Sequence, residues 1–175
     1  RALPVNTGVE AVETAIKAAR KWAYTVKGVP EGHAEIIVCD GNFHGRTTTV
    51  IGFSNEAQYR EGFGPFSPGF HRVPFGDADA LEAAITPHTA AFLFEPIQGE
   101  GGINIPPAGW LARCAAICRQ HDVLLIAAPV MAWSRYRIPA APIAAAAMAN
   151  LRVQLKAHVL AKDVRLALAD FLFSP

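Results

Sequence analysis

Three short stretches carry the residue types that could hold a charged, planar ligand. The first, Asn6-Thr7-Gly8-Val9-Glu10-Ala11, is a polar turn that runs straight into a helical pattern. Free backbone N–H groups at Gly8 and Val9, backed by a helix dipole, suit a phosphate; a plain Thr7 helix cap writes the same local pattern. The second, Asp40-Gly41-Asn42-Phe43-His44-Gly45-Arg46-Thr47, places an aromatic, a histidine and an arginine between glycines. Phe43 can stack on a planar ring and Arg46 can grip a carboxylate bidentately, while a turn with a packed Phe and a solvated Arg, and a hydrogen-bonded structural His44, account for the same residues. The third, Phe94-Glu95-Pro96-Ile97-Gln98-Gly99-Glu100-Gly101-Gly102, sets two carboxylates in a glycine-rich loop. Glu95 and Glu100 there can bind a cationic substrate group or orient a cofactor, and a solvated loop is the alternative.

The elements that must position these stretches follow from hydrophobic spacing. Glu10 to Lys27 repeats Val12, Ala15, Ile16, Ala19 and Ala23 at helical intervals, with Lys17, Arg20 and Lys21 on the other side, so it reads as an amphipathic helix. Runs at 35–39, 90–94 and 123–127 are short and almost wholly apolar, which predicts strands buried on both faces of a parallel sheet. His71 to Phe75 is a weaker strand whose Pro74 puts it at an edge or at a strand end. Helices are expected over 77–85, opened by an Asp77 cap, and over 108–121. Residues 55–70, broken by Gly62, Gly64, Pro65 and Pro68, read as an ordered surface loop. Strand and helix alternate, so the fold class is α/β, a mainly parallel sheet with flanking helices, whose ligand sites lie at the carboxyl ends of the strands. Each of the three polar stretches falls where that arrangement would bring them together.

Composition narrows the function classes. The 175 residues carry a formal net charge of +1, with 51% hydrophobic and 18% charged residues, as in a globular protein of ordinary make-up. Such a balance leaves no electrostatic footprint for nucleic acid or an anionic membrane. The weakly polar run from Ile138 to Leu151 contains two prolines and is too short to span a bilayer. Arg1-Ala2-Leu3-Pro4 shows no signal-peptide pattern and no initiator Met. Cys39, Cys114 and Cys118 form no Cys-x-x-Cys pair, which argues against a zinc site or a disulfide framework and for a cytoplasmic setting; Cys114 and Cys118 read as small buried apolar residues, and no metal is expected. Neither a Gly-x-Gly-x-x-Gly sequence nor a Walker lysine is present, so a generic nucleotide binder built on the Asn6 turn is disfavoured.

Taken in order, NTGVEAVETAIKAARKW, GNFHGRTTT, GFGPFSPGF and TAAFLFEPIQGEGGINIPP resemble the class III aminotransferases that depend on pyridoxal phosphate, and within them the ornithine-using branch, from about Leu3 to Ala127. The resemblance implies part of the large domain of fold type I and a homodimer with its sites at the subunit interface. Carried over motif by motif, it implies that Gly8 and Val9 bind the cofactor phosphate through their amides and that Phe43 stacks on the pyridine ring. Arg46 would meet a substrate carboxylate. Glu95 would lie beside the cofactor, near the acid that holds the ring nitrogen, and Glu100 would pair with a gating arginine outside the matched region. The implied substrates are an amino acid and a 2-oxo acid: the δ-amino group of ornithine passes to 2-oxoglutarate.

The resemblance ends at Ala127. All 14 glycines lie at or before Gly109; residues 1–127 carry 10 Lys+Arg against 13 Asp+Glu, whereas residues 128–175 carry 6 against 2. The family continues the strand with Asp-Glu, the Asp being the ring-nitrogen partner, and here stand Ala128-Pro129-Val130-Met131. Its lysine motif, Gly-Lys-Ala-Leu-Gly-Gly, is not found. Lys156, followed by Ala157, falls near the expected separation from position 128 and is the one candidate for the Schiff-base lysine, although Gln154-Leu155 before it and His158-Val159 after it do not match the motif, and a surface lysine on an amphipathic helix over 151–173 accounts for it. The chain therefore reads as two parts, a partial cofactor-binding domain over 1–127 and a divergent, helical, alanine-rich tail over 128–175 that a shifted reading frame or a split gene would produce. Two functions follow: a segment active only with a complementary fragment supplying lysine and aspartate, or a non-catalytic remnant.

Overall fold

The computed structural model describes residues 3–128; Lys156 and the helix expected over 151–173 lie outside the described residues. The chain begins with helix α1 (Gly8–Trp22), prolonged by a π-helical turn over Ala23–Lys27. Strand β1 (Glu35–Cys39) follows, then two short helices, α2 (Thr48–Gly52) and α3 (Ala57–Arg60). The order is completed by β2 (Phe70–Val73), α4 (Ala78–Ala84), β3 (Thr89–Phe94), α5 (Trp110–Gln120) and β4 (Leu124–Ala127). The four strands form one parallel sheet in the order β2-β1-β3-β4, the α/β architecture expected of the alternation.

Strand alternation decides what each helix covers. Ile36 and Val38 of β1 with Ala91 and Leu93 of β3 face one side, where Val12, Ile16 and Ala19 of α1 and Val50 of α2 close over them. Ile37 and Cys39 with Phe92 and Phe94 face the other, against Leu81 of α4 and Trp110, Cys114, Ile117 and Cys118 of α5. Period two on the strands thus meets period 3.6 on the helices. All six residues of β3 are buried, which is why that strand reads as an unbroken apolar run. β2 stands at an edge and Pro74 follows its last residue, where a missing N–H breaks no ladder bond. Asp77 accepts from the Ala80 amide at 2.9 Å to open α4. The cysteines are buried and free. Burial pushes Cys114 and Cys118 up to about 12 and Cys39 higher still, so they serve as small core residues.

Two stretches differ from the expectations. The helix expected to run regularly to Lys27 changes to π geometry at Ala23 and stops at Gly28, whose φ of 82° ends it. This places Lys27 at the amino ends of β3 and β4, with Nζ donating to the carbonyls of Thr89 (2.7 Å), Asp122 (2.8 Å) and His121 (3.2 Å). Within 55–70 the chain makes the single turn of α3 before the irregular segment, which a cis Gly64-Pro65 bond and Arg20 shape: the guanidinium donates to the Pro68 carbonyl at 2.7 Å.

Candidate functional site

From β1 the chain moves outward to β2, and it then returns past β1 to form β3 and β4. The strand order therefore reverses between β1 and β3, and in such sheets the crevice outside the carboxyl ends at the reversal is where ligands bind. The loops 40–47 and 95–102 leave from those two ends.

The first stretch arrives there through α1. Thr7 caps the helix in a complete capping box: its hydroxyl accepts from the Glu10 amide at 3.3 Å, and the Glu10 carboxylate accepts from the Asn6 and Thr7 amides at 2.6 and 3.1 Å. The cap and the phosphate readings are compatible, because the box uses the amides of Asn6, Thr7 and Glu10. Those of Gly8 and Val9, at the first two helical positions, have no acceptor among the described residues. Gly45 joins this turn to the second stretch. Its φ is 122° and a Cβ there would fall 2.6 Å from the Val9 side chain, so only glycine lets the 40–47 loop lie against the start of α1.

In that loop Phe43 is half-buried, with Tyr59 edge-on at 6.0 Å and the exposed Arg46 guanidinium over its ring at 5.4 Å. The Phe43 amide donates to Glu95 Oε2 at 3.0 Å. His44 is 6% exposed, in edge contact with Phe53, and neither ring nitrogen has a hydrogen-bond partner. Of the alternatives open for His44, the hydrogen-bonded structural one does not hold: the imidazole is buried unpaired, and burial lowers its pKa to about 4. Asn42 is buried too, its Nδ2 donating to the Cys39 carbonyl at 2.7 Å while its Oδ1 has no partner.

The third stretch closes on the second. Glu95 is 4% exposed; burial pushes its pKa up to about 7 against the amides of Phe43 and Gly99, which favour the charged form, and Glu100 adds a smaller upward push. Glu100 itself is exposed and makes no ion pair among the described residues. Gln98, 2% exposed, donates to the Asp40 carbonyl at 2.6 Å and accepts from Asn104 at 3.1 Å, and a Cβ on Gly101 would stand 2.5 Å from the Gly41 carbonyl oxygen. Gln98, Asn104 and Asn55, which accepts from the Gly41 amide at 2.8 Å, are the loop-holding residues that the sequence reading did not single out. At the end of β4 stands Ala128, 6% exposed, its methyl in the apolar cluster with Val12, Ile16 and Val38 and its amide donating to the Phe94 carbonyl at 2.8 Å.

This arrangement can bind and orient. Two free amides at a helix start take an anionic group, Phe43 offers an aromatic face, and Arg46 offers an exposed cation. No lysine lies in the three loops, and the cysteines are buried thiols, so the described residues place no amine or thiolate nucleophile here. Pyridoxal phosphate fits at its phosphate and ring face, whereas Ala128 puts a methyl where β4 ends and offers its ring nitrogen no acid.

Comparison with known proteins gives this geometry a context. The family model described as aminotransferase class III matches residues 1–132, and a second, of a family of unknown function (DUF2863), matches residues 112–175. The ornithine aminotransferase of an Exiguobacterium species is 65% identical over 125 residues, which are 71% of this chain and 31% of that protein. That of Bacillus subtilis is 62% identical over 125 residues, again 71% of this chain and 31% of the relative. Among solved structures, the ornithine aminotransferase of Toxoplasma gondii superposes with a TM-score of 0.70 at 49% identity, covering 70% of this chain and 30% of that one. The acetylornithine aminotransferase of Elizabethkingia anophelis gives 0.56 at 53% identity, covering 71% and 30%. The chain spans about a third of the length of these relatives.

Proposed function

The chain belongs to the class III aminotransferases, a family that uses pyridoxal phosphate, and we propose that it is an ornithine aminotransferase segment supplying the phosphate and ring-face contacts of a cofactor site that a second polypeptide completes. The family reaction, transfer of the δ-amino group of ornithine to 2-oxoglutarate, then belongs to the assembly and not to this chain alone. The observation that carries the reading is the meeting of Gly8 and Val9, Phe43 and Arg46, and Glu95 and Glu100 outside the carboxyl ends of β1 and β3, with Ala128 at the end of β4. When bound, the cofactor supplies the electron sink for amino-group transfer. The Gly8 and Val9 amides hold its phosphate, Phe43 stacks on its ring, Arg46 receives a substrate carboxylate, and Glu100 awaits a cation from outside the described residues.

The division at Ala127 is part of the proposal: residues 128–175 form a separate segment of different origin, while the two family matches, over 1–132 and 112–175, overlap across that point. Lys156 then has no covalent role. A homodimer in the cytoplasm is the setting proposed from the family. A non-catalytic remnant is the second reading, favoured by Ala128.

Incubating the full chain with pyridoxal phosphate, ornithine and 2-oxoglutarate tests this. Expected are no turnover and cofactor binding weaker than micromolar, with turnover appearing when the remainder of a relative such as the Bacillus subtilis enzyme is co-expressed. Turnover by the chain alone would overturn the dependence on a second polypeptide, and failure of co-expression to produce any turnover leaves the remnant reading in its place.

A further inference from the structure

The loops that leave β1 and β3 are tied together at two levels. One tie is neutral: Gln98 Nε2 donates to the Asp40 carbonyl at 2.6 Å, at the base of the 40–47 loop. The other is ionisable: the Glu95 carboxylate accepts from the Phe43 amide at 3.0 Å, across 52 residues of chain, and the Gly99 amide of its own loop also favours its charged form. Asp40, Gly41 and Asn42 have fixings of their own, on Gln98, on Asn55 Oδ1 and on the Cys39 carbonyl. Phe43 is the first residue beyond them, and its main chain is held by Glu95.

We propose that Glu95 is a positioning residue, whose buried carboxylate latches the Phe43 main chain to the 94–102 loop and so sets where the Phe43 ring is presented to a ligand. The inference rests on the reading of this crevice as a cofactor site, but the latch itself is a property of the chain without cofactor. Ionised, the carboxylate has acceptors for both amides. Protonated, it keeps acceptor capacity, and a proton carried on Oε1 leaves the Phe43 bond at Oε2 in place. The titratable groups that face Glu95 are Glu100 on its own loop and the Cys39 thiol at the end of β1. Both are acids, and among the described residues no cation pairs with it. Burial makes the charged form costly and only amide dipoles offset it, so the carboxyl that holds the Phe43 amide changes protonation near neutral pH while keeping an acceptor for that amide in both states.

The test is amide spectroscopy on the full chain, labelled with nitrogen-15 phenylalanine and free of cofactor, the Phe43 signal being assigned by its loss in Phe43→Leu. With rising pH the Phe43 amide proton should shift with a midpoint near 7, and its protection from hydrogen exchange, corrected for intrinsic rate, should exceed that in Glu95→Ala at least tenfold on both sides of that midpoint. In Glu95→Gln, which keeps one neutral acceptor, the shift should be flat and protection intermediate; in Glu95→Ala protection should be lost. A Phe43 amide that does not titrate in the parent chain, or that is equally protected in all three proteins, overturns the latch, and the Gln variant keeps the test decisive if the Ala variant fails to fold. A second arm measures pyridoxal phosphate affinity, expected to fall tenfold or more in Glu95→Ala and less than threefold in Glu95→Gln. Titration of Phe43 without cofactor binding by any of the proteins sinks the cofactor reading and leaves the latch; cofactor binding that is equal in all three overturns the positioning role.

Discussion

The two ends of the sheet treat polar groups in opposite ways. At the amino ends, Lys27 covers three backbone carbonyls, the Thr86 amide donates to the Thr89 hydroxyl at 2.9 Å, and the Thr86 hydroxyl bonds Glu35. Among the described residues the orphan nitrogen there, His121 Nε2, still faces the Glu82 carboxylate at 3.8 Å. At the carboxyl ends, Asn42 Oδ1 and both nitrogens of His44 are buried without partners, and Glu95 is held in a site that resists its charge. An orphaned buried polar group costs about 1–3 kcal/mol, so the second end is kept at a standing cost that the first avoids. The difference fits the proposal that the amino ends are framework and the carboxyl ends a site, since unmet polarity gathers where a bound group would meet it.

The comparison breaks most visibly at Lys27. Lys27→Met keeps the aliphatic stem and removes the ammonium, leaving the carbonyls of Thr89, His121 and Asp122 without their donor. Burial pushes the Lys27 pKa down, with Asp122 and Cys118 holding it up, so the charge is partly desolvated already. The expected loss is about 3 kcal/mol in urea unfolding, larger than any change at the carboxyl ends; a loss under about 0.5 kcal/mol would show that the amino-end framework does not depend on it.

Next in size is Gly45→Ala. A Cβ at φ 122° and 2.6 Å from the Val9 side chain must push α1 or the 40–47 loop aside, with an expected loss of about 2 kcal/mol. Val9→Ala in the same chain should restore only part of it, since the Val9 Cβ is itself one of the atoms in contact. Full restoration would mean that the clash with the Val9 methyl, and not the backbone, is what glycine solves.

How much of this could be read beforehand depends on whether the signal is local. β1 was legible residue for residue, because Glu35–Cys39 is a dense apolar run whose two faces both meet helices. The Asp77 cap and the edge position of the strand before Pro74 are equally local facts. α3 was not legible, since one turn of helix shows no period, and the π turn at Ala23–Lys27 keeps the apolar spacing while changing the hydrogen bonding. In the site, the glycine-rich loops announced where the chain bends. Their fixings, Gln98 to Asp40 and Gly41 to Asn55, join residues 58 and 14 apart, and amide side chains carry no periodic signature of such partners. The unpaired burial of His44 was hidden for the same reason: it is decided by Phe53 and its neighbours, not by the loop's own residues.

The buried ionisable pair of the carboxyl ends gives the third effect, and here the signs oppose. Glu95 has a folded pKa raised to about 7, so its contribution to stability is full below the ordinary carboxylate range and is lost as pH rises to 7. His44, lowered to about 4, contributes fully above the ordinary imidazole value near 6.5 and loses that contribution as pH falls towards 4. Each shift corresponds to at most about 3 kcal/mol, and between pH 4 and 7 they largely cancel. Glu95→Gln should therefore gain on the parent chain as pH rises through that window, and His44→Leu should gain on it as pH falls. Unfolding midpoints taken at several pH values check this, and two variants with parallel profiles would refute the opposed burial of the two groups.

Arg46 is expected to matter least to the fold and so sharpens the contrast within the site itself. Its guanidinium is exposed and lies over the Phe43 ring at 5.4 Å, with no hydrogen bond or ion pair among the described residues, a contact worth about 0.5–1 kcal/mol at a solvated position. Arg46→Ala should thus change stability by less than about 1 kcal/mol and leave the Phe43 amide bond to Glu95 in place. What it changes is access, because the cation that lies over one face of Phe43 is gone. If the ring is a stacking surface, planar aromatic anions should still bind it while simple carboxylates lose affinity, since the ring remains and the charge does not. Equal losses for both ligands would mean that Arg46 and Phe43 act as one unit, and the division of this end into a buried latch and an exposed, exchangeable cation would have to be given up.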